Sequence, residues 1–232
     1  MDKKACAAAG QNELMSLYTS LFSNYGVNTA QVSFVFNYLT KTQHEININT
    51  FITKILVTKA DFQSEHTLKN LEDTLNNLMK SGIVPILNTN DAISSPPEKD
   101  QNTKEEININ DNDSLAAKLA SMVKSDLLLL LSDVDGVYNK PPSEPGSRLI
   151  NSFNPCQQRG LIAFGEKSNV GTGGMESKIK AAEFALNHDC NVIICNGERH
   201  NAISDSIEGK KVGTFFTSEG TNVSIESLAI NG

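Results

Sequence analysis

Leu127-Leu-Leu-Leu-Leu-Ser-Asp-Val-Asp-Gly-Val-Tyr138 is the stretch that decides the fold. Five successive leucines have the length of one strand and leave no polar residue for a solvent face, so the strand they form needs cover on both sides. The run then breaks into Ser132, Asp133, Asp135 and Gly136, a polar turn at the carboxyl end of that strand. Apolar strand followed by Asx- and Gly-rich turn is a pattern that recurs on either side of it.

Upstream, Ile83-Val-Pro-Ile-Leu-Asn88 reads as a strand that ends in Asn88-Thr-Asn-Asp91, and residues 55–58 read as another strand. Downstream, residues 192–195 form a fourth apolar run, ending in Asn196-Gly197. Helical periodicity fills the gaps. Leu14, Leu17, Tyr18, Leu21, Phe22 and Tyr25 recur at threes and fours within 4–25, and Leu68, Leu71, Leu75, Leu78 and Met79 line one stripe of 66–80 before Ser81-Gly82. Residues 114–124 and 175–188 complete the set, while 94–104 is a polar, proline-containing loop and 107–110 reads as a short edge strand. Strands that alternate with helices and carry unbroken apolar runs predict an α/β fold with a mainly parallel sheet.

A chain of 232 residues with 39% hydrophobic content can bury a sizeable core, and one domain is the simpler reading because no linker divides it. The net charge of −7 argues against nucleic acid or an anionic membrane as partner. No apolar run approaches the about 20 residues of a membrane span. Cys6, Cys156, Cys190 and Cys195 form no metal-ligand spacing and read as free thiols, and His44, His66, His188 and His200 are scattered. No metal site is expected. The first residues carry neither a signal-peptide core nor a transit segment, which predicts a cytoplasmic protein, or a mitochondrial one if a longer native N-terminus carries an address.

The second decisive stretch is Gly171-Thr-Gly-Gly-Met-Glu-Ser-Lys178. Its spacing is neither that of a Walker loop nor G-x-G-x-x-G. Three glycines nevertheless allow close approach of backbone to a ligand, the helix that starts at Met175 offers bare N–H groups to an anion, and Lys178 lies one turn into it. In open α/β sheets ligands collect at the carboxyl ends of the strands, where Asn88–Asp91, Ser132–Asp133 and Asn196–Gly197 all fall, joined by Asp111-Asn-Asp113 at a helix start. Each is also a common turn or cap sequence, Asp113 serving equally as an ordinary N-cap; together they outline a polar small-molecule site beside a phosphate cradle.

In this order, Ala7-Ala-Ala-Gly-Gln11, Val84-Pro-Ile-Leu-Asn-Thr-Asn-Asp-Ala92, Asp111-Asn-Asp-Ser-Leu115, Leu130-Leu-Ser-Asp-Val-Asp-Gly-Val-Tyr138 and the Gly171 block resemble the glutamate 5-kinase family. Ile207-Glu-Gly-Lys-Lys-Val-Gly-Thr-Phe-Phe216 further resembles the end of the kinase half of delta-1-pyrroline-5-carboxylate synthase. The resemblance implies the amino-acid kinase (carbamate kinase-like) fold, a three-layer α/β/α sandwich, over 1–216 with a polar tail over 217–232. It implies ATP-dependent phosphorylation of the L-glutamate γ-carboxylate, the first step of proline synthesis. Carried over, Asp91, Asn112 and Asn88 would bind glutamate; Ser132, Asp133, Thr172, Gly173, Gly174, Met175, Glu176, Ser177 and Lys178 would bind ATP. Asp113 would orient the catalytic lysine, and Lys178 would hold the transferring phosphoryl group. Mg²⁺ would arrive with the nucleotide, and a homo-oligomer is the expected assembly.

The family pattern opens with a lysine-bearing strand and a glycine- and serine-containing loop. This sequence begins after both, which predicts an N-terminally truncated kinase domain that is weak or inactive. Two other readings stay open: a relative with another acceptor, such as aspartate, N-acetylglutamate or a nucleoside monophosphate, and a non-catalytic nucleotide-binding remnant that assembles with a complete paralogue.

Overall fold

The computed structural model describes residues 3–24, 28–31, 51–90, 106–158, 162 and 174–218. The chain divides into two compact units, Met1–Pro97 and Glu98–Gly232, the division falling in the polar loop read from the sequence.

In the first unit, helix α1 (Lys3–Ser23) leads to strand β1 (Asn28–Gln31), followed by β2 (Phe51–Val57), helix α2 (Glu65–Lys80) and β3 (Val84–Thr89). The three strands form a parallel sheet in the order β1-β2-β3. Alternate β2 side chains Thr53, Ile55 and Val57 are buried, as the two-residue period of a strand requires. Helix α2 starts where Ser64 caps the Thr67 N–H, buries Leu71 and Leu75, and stops at Gly82, whose φ of +70° suits glycine. Met79 departs from the predicted stripe and is exposed, because it lies a residue past the inward-facing Leu78. On α1 the residues Leu14, Leu17 and Leu21 also stand exposed.

The second unit carries helix α3 (Asn112–Met122), strand β4 (Leu127–Ser132), β5 (Ser152–Phe153), the short helix α4 (Pro155–Gln158), α5 (Met175–Leu186), β6 (Asn191–Asn196), α6 (Ala202–Ile207) and β7 (Thr214–Phe216). Its sheet has the order β4-β6-β7-β5. β4 pairs with β6 in parallel and in register, Leu127 opposite Asn191 and Ser132 opposite Asn196. β7 runs antiparallel to β6 and parallel to β5.

Leu128, Leu130, Val192 and Ile194 face α3 and α5 with Phe153 and Phe216, while Ile193, Cys195 and Phe215 face the other way, towards Ala202 of α6. The unit is therefore a three-layer α/β/α arrangement. Helix faces towards the sheet are built of small residues, Ala117, Ala120, Ala181, Ala182 and Ala185, which let the α3 and α5 backbones approach the leucines closely. Cover is complete over β6 and incomplete over β4. Leu131 is exposed because six-residue α6 lies under β6, leaving a cavity of about 380 Å³ between Leu131, Arg199, Ile203 and Ile207. Residues 107–109 form no strand; they pack Ile109 into the interior as irregular chain before α3. Among the described residues no helix is long and apolar enough to cross a membrane.

The loop after β4, in which Tyr138 bridges Leu149, is tied to β7 through the Thr214 hydroxyl. Thr214 is fully buried; its Oγ1 accepts from the Val137 N–H at 2.8 Å and donates to the Ile150 carbonyl at 2.5 Å. Gly136 lies so close that a Cβ there would stand 2.7 Å from the same oxygen. At neighbouring Gly213, with φ +64°, a Cβ would stand 2.1 Å from the Ile194 carbonyl, so only glycine fits. Thr214→Val keeps the volume and removes both hydrogen bonds, leaving buried backbone groups without partners. We predict a loss of about 1–3 kcal/mol of unfolding free energy, read from urea midpoints; a midpoint equal to that of the parent would contradict this role.

Candidate active site

Short turns at 123–126 and 187–190 reverse the chain after α3 and α5. Each helix thus runs back along the strand that follows it, and its N-terminus lies at that strand's carboxyl end. Because Ser132 and Asn196 are opposite each other, the ends of β4 and β6 and the starts of α3 and α5 gather at one end of the sheet.

Asp111 caps α3. Its Oδ1 accepts from the Ser114 N–H at 2.8 Å and from the Ser114 hydroxyl at 2.7 Å, and its Oδ2 accepts from the hydroxyl of Ser177 in the first turn of α5. The cap is Asp111 and not Asp113, which frees the Asp113 carboxylate to face across the helix pair. There it takes both contacts from Lys178, whose Nζ lies 2.8 Å from Oδ1 and 3.1 Å from Oδ2. Both side chains are only 17% exposed, so the pair is shielded more than a surface ion pair and retains an open side. Burial tends to raise the Asp111 pKa, but the two Ser114 hydrogen bonds, that of Ser177 and the Lys178 charge outweigh it and hold the carboxyl below its ordinary 3.8.

Helix α5 begins at Gly174, which supplies no side-chain cap. Met175, Glu176, Ser177 and Lys178 form its first turn, and the first N–H groups of any helix can take an anion. Glu176 pairs with Lys180 at 3.4 Å along the same helix. Of the expected phosphate loop, Gly171, Thr172 and Gly173 lie outside the described residues.

At the strand ends, the Ser132 hydroxyl donates to Asp133 at 3.2 Å and its carbonyl accepts from the Gly197 N–H at 2.8 Å. Asp133 is exposed. Asp135, passed over as a site residue in the sequence, accepts from Asn196 Nδ2 at 3.1 Å and from the Tyr138 hydroxyl at 3.4 Å. Burial, then the Asp135 charge and hydrogen bond, raise the Tyr138 pKa above 10.0. Asn112 opens α3 and is exposed to solvent. Asn88 belongs to the first unit, where its side chain accepts from the Thr89 N–H at 2.9 Å at the carboxyl end of β3; Asp91 lies outside the described residues.

Asp113 thus meets Lys178, the residue after Ser177 in the Gly171 block, and Ser132 and Asp133 sit at the carboxyl end of β4 beside the start of α5. Asp111, like Asp135, was not singled out as a site residue, yet it links the two helix starts. Its signal was present in the sequence: an Asp with Ser three residues on, before an apolar helix, is an N-cap pattern.

A profile of the Amino acid kinase family matches residues 1–196, and the chain belongs to that family. It is 42% identical to delta-1-pyrroline-5-carboxylate synthase of Mesembryanthemum crystallinum over 218 residues, 93% of this chain and 27% of the relative. It is 36% identical to glutamate 5-kinase of Clostridium acetobutylicum over 217 residues, 93% of this chain and 69% of the relative. The chain thus spans about a quarter of the length of the plant synthases. An isopentenyl phosphate kinase solved as a substrate complex superposes with a TM-score of 0.50 at 16% identity, covering 89% of this chain and 67% of that one, a likeness of fold.

The lowered Asp111 pKa fixes a pH dependence. A carboxyl that is more acidic folded than unfolded contributes stability that is complete above 3.8 and is lost as pH falls through the folded value. Asparagine caps a helix as well as aspartate but cannot ionise. The difference in urea-unfolding stability between the parent and Asp111→Asn is therefore expected to hold from pH 7 to about 5 and to shrink below 3.8. A difference that stays constant down to pH 2 would refute the charge-based role.

Proposed function

We propose that this chain is a glutamate 5-kinase domain, transferring the γ-phosphoryl group of ATP to the γ-carboxylate of L-glutamate in the first step of proline synthesis. The observation that carries the reading is the Lys178–Asp113 pair at two adjoining helix starts, with the family membership and the two named relatives behind it.

The acceptor carboxylate has an ordinary pKa near 4.3 and is ionised at neutral pH, so no general base is needed. One carboxylate oxygen attacks the γ-phosphorus, the bond to the β,γ-bridging oxygen breaks, and ADP leaves with that electron pair. Phosphoryl transfer of this kind rests on positioning and on neutralising charge. Lys178 supplies a compact positive charge for the transferring group, and Asp113 keeps its ammonium aimed between the helix starts. The N–H groups of Met175, Glu176 and Ser177 take nucleotide phosphate oxygens, with Thr172, Gly173 and Gly174 forming the approach. Ser132 and Asp133 offer polar contacts to the rest of the nucleotide, which enters as its Mg²⁺ complex. From the family resemblance, Asp91, Asn112 and Asn88 are assigned to the amino acid. The chain acts as a homo-oligomer.

The test is ATP-dependent formation of γ-glutamyl hydroxamate by the purified chain, with aspartate and N-acetylglutamate as competing acceptors and ADP release from UMP measured in parallel. Glutamate is expected to be the acceptor. Lys178→Ala is expected to lower kcat on the order of 10²- to 10³-fold. ATP binding without transfer to glutamate would refute the reading, and transfer to another acceptor would replace it.

A further inference from the structure

We infer that Asp111 is a positioning residue whose hold on Ser177 sets Lys178 for the phosphoryl group, an inference that rests on the kinase reading above. The argument begins at α5, which has no side-chain cap of its own because Gly174 occupies that position. A helix start without a cap frays, and Lys178 lies within its first turn. Restraint must come from elsewhere, and Asp111 supplies it.

One oxygen of the Asp111 carboxylate is fixed by the N–H and hydroxyl of Ser114, a buried residue of α3. The other oxygen is thereby aimed at α5, where it accepts the Ser177 hydroxyl, 66 residues along the chain. The next residue of α5, Lys178, reaches Asp113, two residues after Asp111. Two consecutive residues of one helix therefore meet two acidic residues at the start of the other. A lone lysine–carboxylate contact leaves the four-carbon stem free to follow any movement of the backbone. The second attachment, through the short Ser177 side chain, fixes that backbone.

This assignment revises the expectation for Ser177. Its hydroxyl is committed to Asp111, so it serves as a strut between helices and its contribution to the nucleotide is through its backbone N–H and its neighbour Lys178.

A double-mutant cycle tests the strut. Asp111→Ser retains an N-cap for α3 but is too short to reach α5; Ser177→Ala removes the hydroxyl and leaves the cap intact; Ser177→Thr restores a hydroxyl. Each of the first two is expected to lower kcat about tenfold, with the ATP dissociation constant by calorimetry changed less than about threefold. The double variant is expected to be no slower than either single one, and Ser177→Thr to regain most of the rate. Losses that multiply in the double variant, or a Ser177→Ala loss of ATP affinity that persists in the Asp111→Ser background, would overturn the inference by showing that the hydroxyl acts on the nucleotide by itself. If the parent transfers no phosphoryl group, the kinase reading falls and the positioning role falls with it. The contact alone is then read from the same cycle in urea midpoints, where coupled losses support the strut and additive losses overturn it.

Discussion

Parallel pairing of β4 with β6 is the constraint on which the second unit depends. Parallel neighbours cannot be joined by a tight turn, so the chain between them has to cross over through α5, and α5 has to lie antiparallel to the strands on the sheet. The same geometry disposes α3 ahead of β4. Leu128, Leu130, Val192 and Ile194 are buried beneath these helices, and alanines on the helix faces keep the layers close. Burial of this apolar surface is worth about 25 cal/mol per Å² and is the main term that holds the layers together.

Function follows from the direction of those elements more than from their composition. Two helix starts and two strand ends converge, so backbone N–H groups and acidic side chains share a small space. Carboxylates near helix N-termini are stabilised by the helix dipole, and here they are also satisfied one by one: Asp111 by Ser114 and Ser177, Asp113 by Lys178. A positive side chain held by a carboxylate beside bare N–H groups can meet a phosphate without the backbone having to reorganise, which is the condition for electrostatic assistance of phosphoryl transfer.

Much of this was legible along the chain. The leucine run, the run at 192–195 and the helices at 66–80 and 114–124 have apolar patterns that their burial explains, whereas the run at 83–88, which reads as a buried strand, forms β3 with no fully buried residue and with Val84 exposed. The short strands β1, β5 and β7 were not legible, since two to four residues are too few to show alternation, and β7 owes its place to the buried Thr214 hydroxyl and the close approach at Gly213. Residues 107–110 show the opposite failure: an alternating Ile-Asn-Ile-Asn pattern suits a strand, yet in the fold one isoleucine is buried and the segment is irregular chain. Among the site residues, Asp113 and Lys178 were readable through the motifs that hold them, whereas Asp135 was overlooked inside a quoted motif because its partner Asn196 comes from the neighbouring strand end, 61 residues along the chain.

The amino-acid sequence by itself determined the class of fold, the family and the residue types available for chemistry, because hydrophobic period, glycine position and short acidic motifs are local properties of the chain. Only the tertiary structure decided which of those residues act together. That the Asp111 carboxylate reaches Ser177 while Asp113 takes both contacts from Lys178 emerges only with α3 and α5 laid side by side. The reason is distance along the chain: contacts between residues some 65 positions apart depend on how layers pack, and no local pattern records that.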